Sequence, residues 1–530
     1  MSVRRFCIFG LCVVILAGST ASAESPTPGF NNPIPPAILT PDVVDTSIGR
    51  LEFFDGMPTA ATADAVYDNL LRIRATEAFL DFVPAASLEA LRAGMVSLGV
   101  DEARKCLLFD ELMDSNSLFL TGNTDTVYAI CLLDLERDGP TVIEVPPGAG
   151  PGTINDAYFR FVIDLGGPGP DRGKGGRYLV LPPDYEGEVP EGYFVARSPS
   201  YVNWVPLRGF LVDGKPDAAA AMWRDNLRVY PLSEAGDPPP TEFIGTTGST
   251  VNTIHANNIE FFDEVDRVIQ KEPVDFLDPE LRGLLASIGI EKGQVFAPDA
   301  HEKKILADAV AIGNATARTL AFAPRSGSVY LYGKESAWFT AFDGGSHEWL
   351  IRGGQGGRNL DARTVFFYIA TVNTPAMVLR MPGIGSQYAL AARDADGEYL
   401  DGAESYRLRI PADVPAKRFW SVVAYDPQTR SMLQTSQPYP SLNNERNRDM
   451  EQNPDGSTDL YFGPEAPAGK EANWIATVPG KAWFAVLRLY GPLQPWFDQT
   501  WRPGEIEKVG RQPAPAREQE QVRSGRLRKP

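Results

Sequence analysis

The hydrophobic period of this chain changes three times, and that constrains its fold more than any other feature. From about residue 121 the pattern is one of short β-prone runs, at Thr126–Leu133, Tyr158–Asp164, Arg177–Leu181 and Tyr193–Arg197. Gly/Pro clusters such as Pro146-Pro147-Gly148 and Gly166-Gly167-Pro168-Gly169 separate them, the spacing expected of an antiparallel sandwich. A helical period takes over at 255–320. Phe261, Val265 and Val268 form one stripe, Leu281, Leu284, Leu285 and Ile288 a second, and Ile305, Ala309 and Ile312 a third. The last third is β again. Tyr406, Leu408 and Ile410 alternate with Arg407 and Arg409, while Thr364–Val372, Phe419–Tyr425 and Trp483–Tyr490 read as further strands. The fold class expected is therefore α+β, mainly β, with two antiparallel β-sandwiches, an N-terminal helical segment and a helical insert. A chain of 530 residues with 43% apolar content has enough material for several such cores.

The N-terminus reads as a secretory signal. Arg4 and Arg5 precede a twelve-residue apolar stretch, Phe6 to Ala17, and Ala21-Ser22-Ala23 forms a small-x-small cleavage site before Glu24. Twelve residues are too few to span a bilayer as a helix, and no later stretch is long and apolar enough, so no transmembrane segment is expected. The expected location is the periplasm or the exterior. Residues 24–45 form a Pro-rich leader. A helical segment is expected over 46–120, where Val66, Leu70 and Ile73 and then Leu88, Leu91, Met95 and Leu98 hold helical spacing until Gly99. The boundaries that follow are a first sandwich over 121–250, a helical insert over 251–325 and a second sandwich over 326–510. A disordered basic tail is expected over 511–530. Of the four cysteines, Cys7 and Cys12 leave with the signal. Cys106 and Cys131 remain, and an oxidising compartment permits either a disulfide or two buried thiols.

Charge and composition exclude several functions. The formal net charge is −18. Removing the signal's two arginines and setting aside the tail, six basic against two acidic groups, leaves −24 on the body. A nucleic-acid partner needs a basic face, so none is expected. Only three histidines are present, His255, His301 and His347, and they stand far apart in sequence. No G-x-S-x-G elbow and no phosphate-binding glycine loop occurs. The run Asp394-Ala395-Asp396-Gly397-Glu398 lacks the remaining ligands of a calcium loop and fits an Asp-Gly turn. No metal and no cofactor are expected.

Two constellations carry more chemistry. The first is Thr121-Gly122-Asn123-Thr124-Asp125-Thr126-Val127-Tyr128, at the start of a strand. Asn123 and Asp125 either meet polar ligand groups, with Asp125 as an acid or base, or hold the turn backbone. The second is Gly469-Lys470-Glu471-Ala472-Asn473-Trp474 with the strand Trp483–Tyr490. On that strand Arg488 shares a face with Phe484, Val486 and Tyr490. If the face is buried, the cation needs a partner, for which Glu471 is the candidate.

These residues also carry a family resemblance. Lys470-Glu471-Ala472-Asn473-Trp474 and Arg488-Leu489-Tyr490-Gly491-Pro492 resemble the module called domain of unknown function 1214. Phe419-Trp420-Ser421-Val422, Tyr425-Asp426, Asp455-Gly456-Ser457 and Gly385-Ser386-Gln387-Tyr388 with Asp394 to Gly402 fit the same pattern. Asn123-Thr124-Asp125-Thr126-Val127-Tyr128 resembles the signature of its usual partner, domain of unknown function 1254, with Thr124 where a basic residue is common. The resemblance covers most of residues 50–510. It implies an exported bacterial protein with an immunoglobulin-like first sandwich and a jelly-roll-like second one, and it implies no reaction.

The expected function is binding of a polar small molecule or saccharide between the two sandwiches, through Asn123, Asp125, Tyr128, Glu471, Asn473, Trp474 and Arg488. Two alternatives stand beside it. One is a carboxylate-dependent hydrolase or lyase using Asp125 and Glu471. The other is an envelope or assembly protein presenting its sandwich surfaces to partners.

Overall fold

The computed structural model describes residues 34–509. The expected signal peptide, residues 24–33 of the leader and the tail lie outside the described residues. The chain divides into two compact units at Asn69/Leu70.

The described part of the first unit opens with a turn of 3-10 helix, Pro36–Ile38, and a three-stranded antiparallel sheet of Val43–Thr46, Gly49–Phe54 and Met57–Pro58. These strands correct the expectation of a helical segment starting at 46. The missed signal is Asp55-Gly56. Both residues have positive φ, 47° and 80°, as a two-residue hairpin turn of the primed kind requires. The helix that follows runs unbroken from Ala60 to Ser97, with Pro84 inside it.

In the second unit, four sheets form two layered pairs. A six-stranded sheet has the order Glu242–Gly245, Lys105–Phe109, Thr126–Asp134, Val202–Phe210, Pro151–Asp156, Phe161–Gly166. A four-stranded sheet of Phe194–Arg197, Gly176–Leu181, Thr141–Val145 and Arg228–Pro231 packs on it. Val127, Ala129, Cys131 and Leu133 share a core with Ile143, Val180 and Val229. Towards the C-terminus, the sheet Ser386–Ala391, Phe484–Tyr490, Trp420–Tyr425, Ser441–Asn443 pairs with the sheet Trp474–Ala476, Thr458–Gly463, Tyr406–Ile410, Ile506–Lys508. Ala389, Val422 and Leu487 meet Leu408, Leu460 and Ile475 there. The architecture is mixed α+β, dominated by sheets, with no closed barrel among the described residues. The sheets are not purely antiparallel. Glu242–Gly245, Phe194–Arg197 and Trp474–Ala476 are edge strands that run parallel to their neighbours.

Period-2 alternation in the central strands feeds two cores at once. Tyr128, Ile130 and Leu132 leave the opposite face of their strand from Val127 and Ala129 and enter a third core. Phe484, Val486, Val423 and Tyr425 enter that same core from the C-terminal sheet. The helices Glu260–Lys271, Pro279–Ala286 and Ala300–Phe322 contribute Phe261, Leu285 and Ala309 to it. The outer faces of both sheet pairs and the helices therefore share one apolar interior, and both central strands are buried on both faces.

One expected strand is a helix. Residues 364–372 read as β because Thr364, Val365 and their aromatic neighbours favour extended backbone. The structure forms the helix Leu360–Ile369, capped by the Asn359 side chain accepting from the Ala362 N–H. Tertiary packing overrides propensity here. Phe366 and Phe367 stack against Trp349, Phe342 and Phe159 with ring centroids 5.1–5.8 Å apart.

Cys106 and Cys131 are directly opposite each other on adjacent antiparallel strands, with Cα atoms 4.4 Å apart, and the structure joins them in a disulfide. Cross-linking across 25 residues removes loop entropy from the unfolded chain worth about 3.5 kcal/mol. The double variant Cys106→Ala/Cys131→Ala is expected to unfold at lower urea by about that free energy. Equal urea midpoints would show that the bond adds nothing.

Candidate site at the junction of the two sheet pairs

The loop before Tyr128 lies flat on the C-terminal sheet, and its shape follows from its sequence. Asn123 Oδ1 accepts from the Asp125 N–H at 2.9 Å, an Asx turn, and Asn123 Nδ2 donates to the Tyr128 hydroxyl at 2.5 Å. Thr121 takes a positive φ of 41°, and its N–H donates to the Arg430 carbonyl. Gly122 is needed for space: a Cβ there would lie 2.5 Å from Met113 Sδ.

Register on the C-terminal sheet prepares the receiving surface. Tyr388 pairs with Arg488, Arg488 with Ser421, and Ser421 with Asn443, so four polar side chains cross the sheet in one row. Asp125 is fully buried against this row. Its Oδ2 accepts from Ser421 Oγ at 2.5 Å and the Tyr490 hydroxyl at 2.8 Å, and its Oδ1 accepts from Asn443 Nδ2 at 2.9 Å. Burial first, and then the charge of Asp125, hold the Tyr490 phenol well above its ordinary pKa, so it stays a donor. Thr124 Oγ1 and Ser441 Oγ are 2.5 Å apart, and Arg446 donates to the Thr124 carbonyl at 3.1 Å. A basic side chain thus reaches position 124 from the other module.

Beside this contact lies a cavity of about 50 Å³, room for roughly three to five water-sized groups. Tyr128 and Arg208 enter it from the six-stranded sheet, where they pair across strands, and Tyr388 and Arg488 from the C-terminal sheet. Phe342, Phe366 and Trp204 complete an apolar wall. Arg208 and Arg488 are only 7% and 5% exposed. Arg488 Nη2 donates to the Thr121 carbonyl and the Tyr425 hydroxyl, at 2.5 and 2.7 Å, and its guanidinium lies 5.1 Å from the Tyr388 ring centre. Arg208 lies 5.5 Å from the Tyr128 ring centre. Among the described residues neither arginine has a carboxylate within 4.0 Å. Three buried donors of lining residues have no acceptor: Arg488 Nε, Trp204 Nε1 and the Tyr388 hydroxyl. Arg430 is the contrast. It is equally buried, but it donates to the carbonyls of Tyr368 and Gln428 and meets His255 Nε2 at 3.3 Å, a structural cation whose donors are used.

The structure brings Asn123, Asp125, Tyr128 and Arg488 together and leaves Glu471, Asn473 and Trp474 elsewhere. Glu471 is exposed, and its carboxylate accepts from the Gly469 N–H of its own turn. It is not the partner of Arg488, and it shares no cavity with Asp125. Asn473 is buried, but it ties the Glu451 and Asp459 backbones together, and Trp474 donates to the Gly463 carbonyl. His255 is a core residue. Its ring nitrogens face the Ala256 carbonyl and Arg430, and burial, then the charge of Arg430, push its pKa down to about 3. Asp394 holds its turn by accepting from the Asp396 and Glu398 N–H groups. No group of three or more His, Cys, Asp or Glu side chains fit to hold a metal occurs among the described residues, nor is any described helix long and apolar enough to cross a membrane. Arg208 was missed in the sequence, although Tyr388, Ser421 and Tyr490 all fall inside motifs that carried the family resemblance.

No curated protein matches the sequence. A solved protein from Vibrio parahaemolyticus, VPA0106, aligns over 83% of this chain and all of its own at 19% identity and a TM-score of 0.51, which bears on the fold alone. An uncharacterized protein from Burkholderia cenocepacia aligns over 85% of this chain and 97% of its own, at 12% identity and a TM-score of 0.37, too low to carry an argument. Residues 107–231 match the family described as Protein of unknown function (DUF1254), and residues 385–494 match Protein of unknown function (DUF1214), so the chain joins the two modules in that order and the cavity lies where they meet.

Proposed function

We propose that this protein binds a small carboxylate in the cavity between its two modules. The observation that carries the reading is the surplus of buried donors around one void. Two buried guanidiniums with no carboxylate within 4.0 Å, one of them with its Nε unmatched, share the void with an indole N–H and a phenol O–H that have no acceptor, and leaving such donors unmatched costs about 1–3 kcal/mol each. A carboxylate supplies acceptors and the missing negative charge, and the aromatic wall takes a short apolar body. A neutral saccharide suits the cavity less well, because its hydroxyls bring donors where donors already abound. The hydrolase or lyase reading loses its carboxylate pair, since Asp125 is saturated and Glu471 is on another surface.

Thermal unfolding with acetate, propionate and glucose at matched ionic strength tests the reading. Acetate and propionate are expected to raise Tm in a saturable way, and glucose is not. A shift with glucose and none with either carboxylate would overturn it. Five heavy atoms at the ceiling of about 1.5 kcal/mol each set the tightest Kd near the low micromolar range.

Export belongs to the same proposal, supported by the signal-like N-terminus and the Cys106–Cys131 bond. N-terminal sequencing of protein from the periplasmic fraction of an expressing bacterium is expected to begin at Glu24. A mature chain beginning at Met1 would contradict it.

A further inference from the structure

A second void, about 20 Å³, adjoins the arginine cavity and shares Arg208, Val372 and Met377 with it. Thr153, Asp164 and Thr374 face it from the other side. It shares Pro151, Pro168 and Gly385 with a surface cleft of about 600 Å³, so the small void lies between the arginine cavity and that cleft. Asp164 is 8% exposed. Its Oδ1 accepts from Thr374 Oγ1 at 2.6 Å, and Thr153 is its other polar neighbour. Among the described residues no cation lies within 4.0 Å of it, Arg208 included. Burial pushes its pKa up to about 6, with the two threonine hydroxyls working against that rise. A buried carboxylate thus faces the small void, whose lining it shares with Arg208, while Arg488 flanks the larger one with no carboxylate within 4.0 Å.

An unpaired buried charge is expensive, and two of opposite sign facing adjoining voids call for a ligand that neutralises both. Resting on the carboxylate reading above, we propose that the ligand is a zwitterion of the amino-acid type. Its carboxylate meets Arg208 and Arg488, its ammonium meets Asp164, and its short apolar side chain lies against the aromatic wall. The two voids together suit an amino acid with a small side chain. Asp164 is then the residue that selects an amino acid over an organic acid of the same skeleton.

Calorimetric titration with L-alanine, L-lactate and propionate, which place an ammonium, a hydroxyl and a hydrogen at one carbon, tests this. Alanine is expected to bind wild-type protein about tenfold or more tighter than propionate, with lactate between, because a charge-assisted hydrogen bond is at stake. Asp164→Asn is expected to remove the advantage of alanine and leave propionate binding intact. A second measurement needs no variant. Alanine stays zwitterionic between pH 5 and 8, whereas Asp164 becomes protonated as pH falls through about 6. Among the described residues Arg208 is the only other charged group on the small void, and it does not titrate in this range. The alanine-to-lactate affinity ratio, in which both ligands keep an ionised carboxylate, is therefore expected to be full above pH 7 and to collapse towards unity near pH 5. Lactate or propionate binding as tightly as alanine at pH 7.5, or a ratio that ignores pH, would overturn the zwitterion while leaving the carboxylate reading standing. No heat with any of the three would overturn both.

Discussion

Asp125→Ala is expected to destabilise the protein by about 3–5 kcal/mol, measured as a loss in urea unfolding free energy. The side chain is fully buried and serves three donors from the other module: Ser421, Tyr490 and Asn443. Removing it orphans all three. Asn443 cannot turn its oxygen into the gap, because its Oδ1 already accepts from the Glu445 and Arg446 N–H groups. Asp125→Asn is expected to cost less than alanine but still more than 1 kcal/mol, since one amide N–H would then face a donor. The contact joins the modules, so the variant is also expected to show protease cleavage between residues 231 and 385 before wild type does. Wild-type stability in Asp125→Ala would mean that the loop does not hold the two modules together.

Arg488→Met is expected to behave in the opposite way. It removes a buried cation whose Nε has no acceptor and replaces it with an apolar chain of similar length. Exchanges of that kind are often neutral or stabilising. The Tyr425 hydroxyl still donates to the Gly122 carbonyl at 2.7 Å, and the acceptors that lose a donor are the Thr121 carbonyl and the Tyr425 oxygen. Stability is therefore expected to stay within about 1 kcal/mol of wild type. Carboxylate binding is expected to fall at least 30-fold, the lower end of what truncating one side of a buried charge pair costs. From a micromolar or weaker start, that removes the heat from a calorimetric titration. A loss of several kcal/mol in stability with unchanged binding would assign Arg488 to structure alone. The two variants separate the charge that fastens the modules from the charge that serves the cavity.

What could be read from the sequence divides along physical lines. Strands with strict alternation, such as Tyr406–Ile410, and helices with clean stripes, such as Glu260–Lys271, were legible because each residue's environment is set locally. The strand Val202–Phe210 was not. Pro206 sits in its middle and pairs with Ile130, although proline cannot donate to a sheet ladder and usually marks an edge. With that strand unread, Arg208 had no face and could not be placed opposite Tyr128. The pairing of Arg488 with Glu471 failed for a different reason. Trp474–Ala476, just after Glu471, belongs to the far layer of the C-terminal sheet pair, while Arg488 leaves the near layer on its outer face. Nearness in a motif does not say which layer a residue occupies. Asn123, Asp125 and Tyr128 were legible as polar residues opening a buried strand, but the partners of Asp125 lie about 300 residues away in the chain, beyond the reach of local pattern.

Carboxylate binding requires an anion to enter the cavity between the modules. The most direct test is a crystal of the mature protein soaked in 3-bromopropionate and measured at the bromine absorption edge. The predicted result is an anomalous peak inside the cavity bounded by Arg208, Trp204, Tyr388 and Arg488, with the carboxylate within hydrogen-bond distance of a guanidinium. A cavity holding only ordered water at saturating 3-bromopropionate would contradict the account.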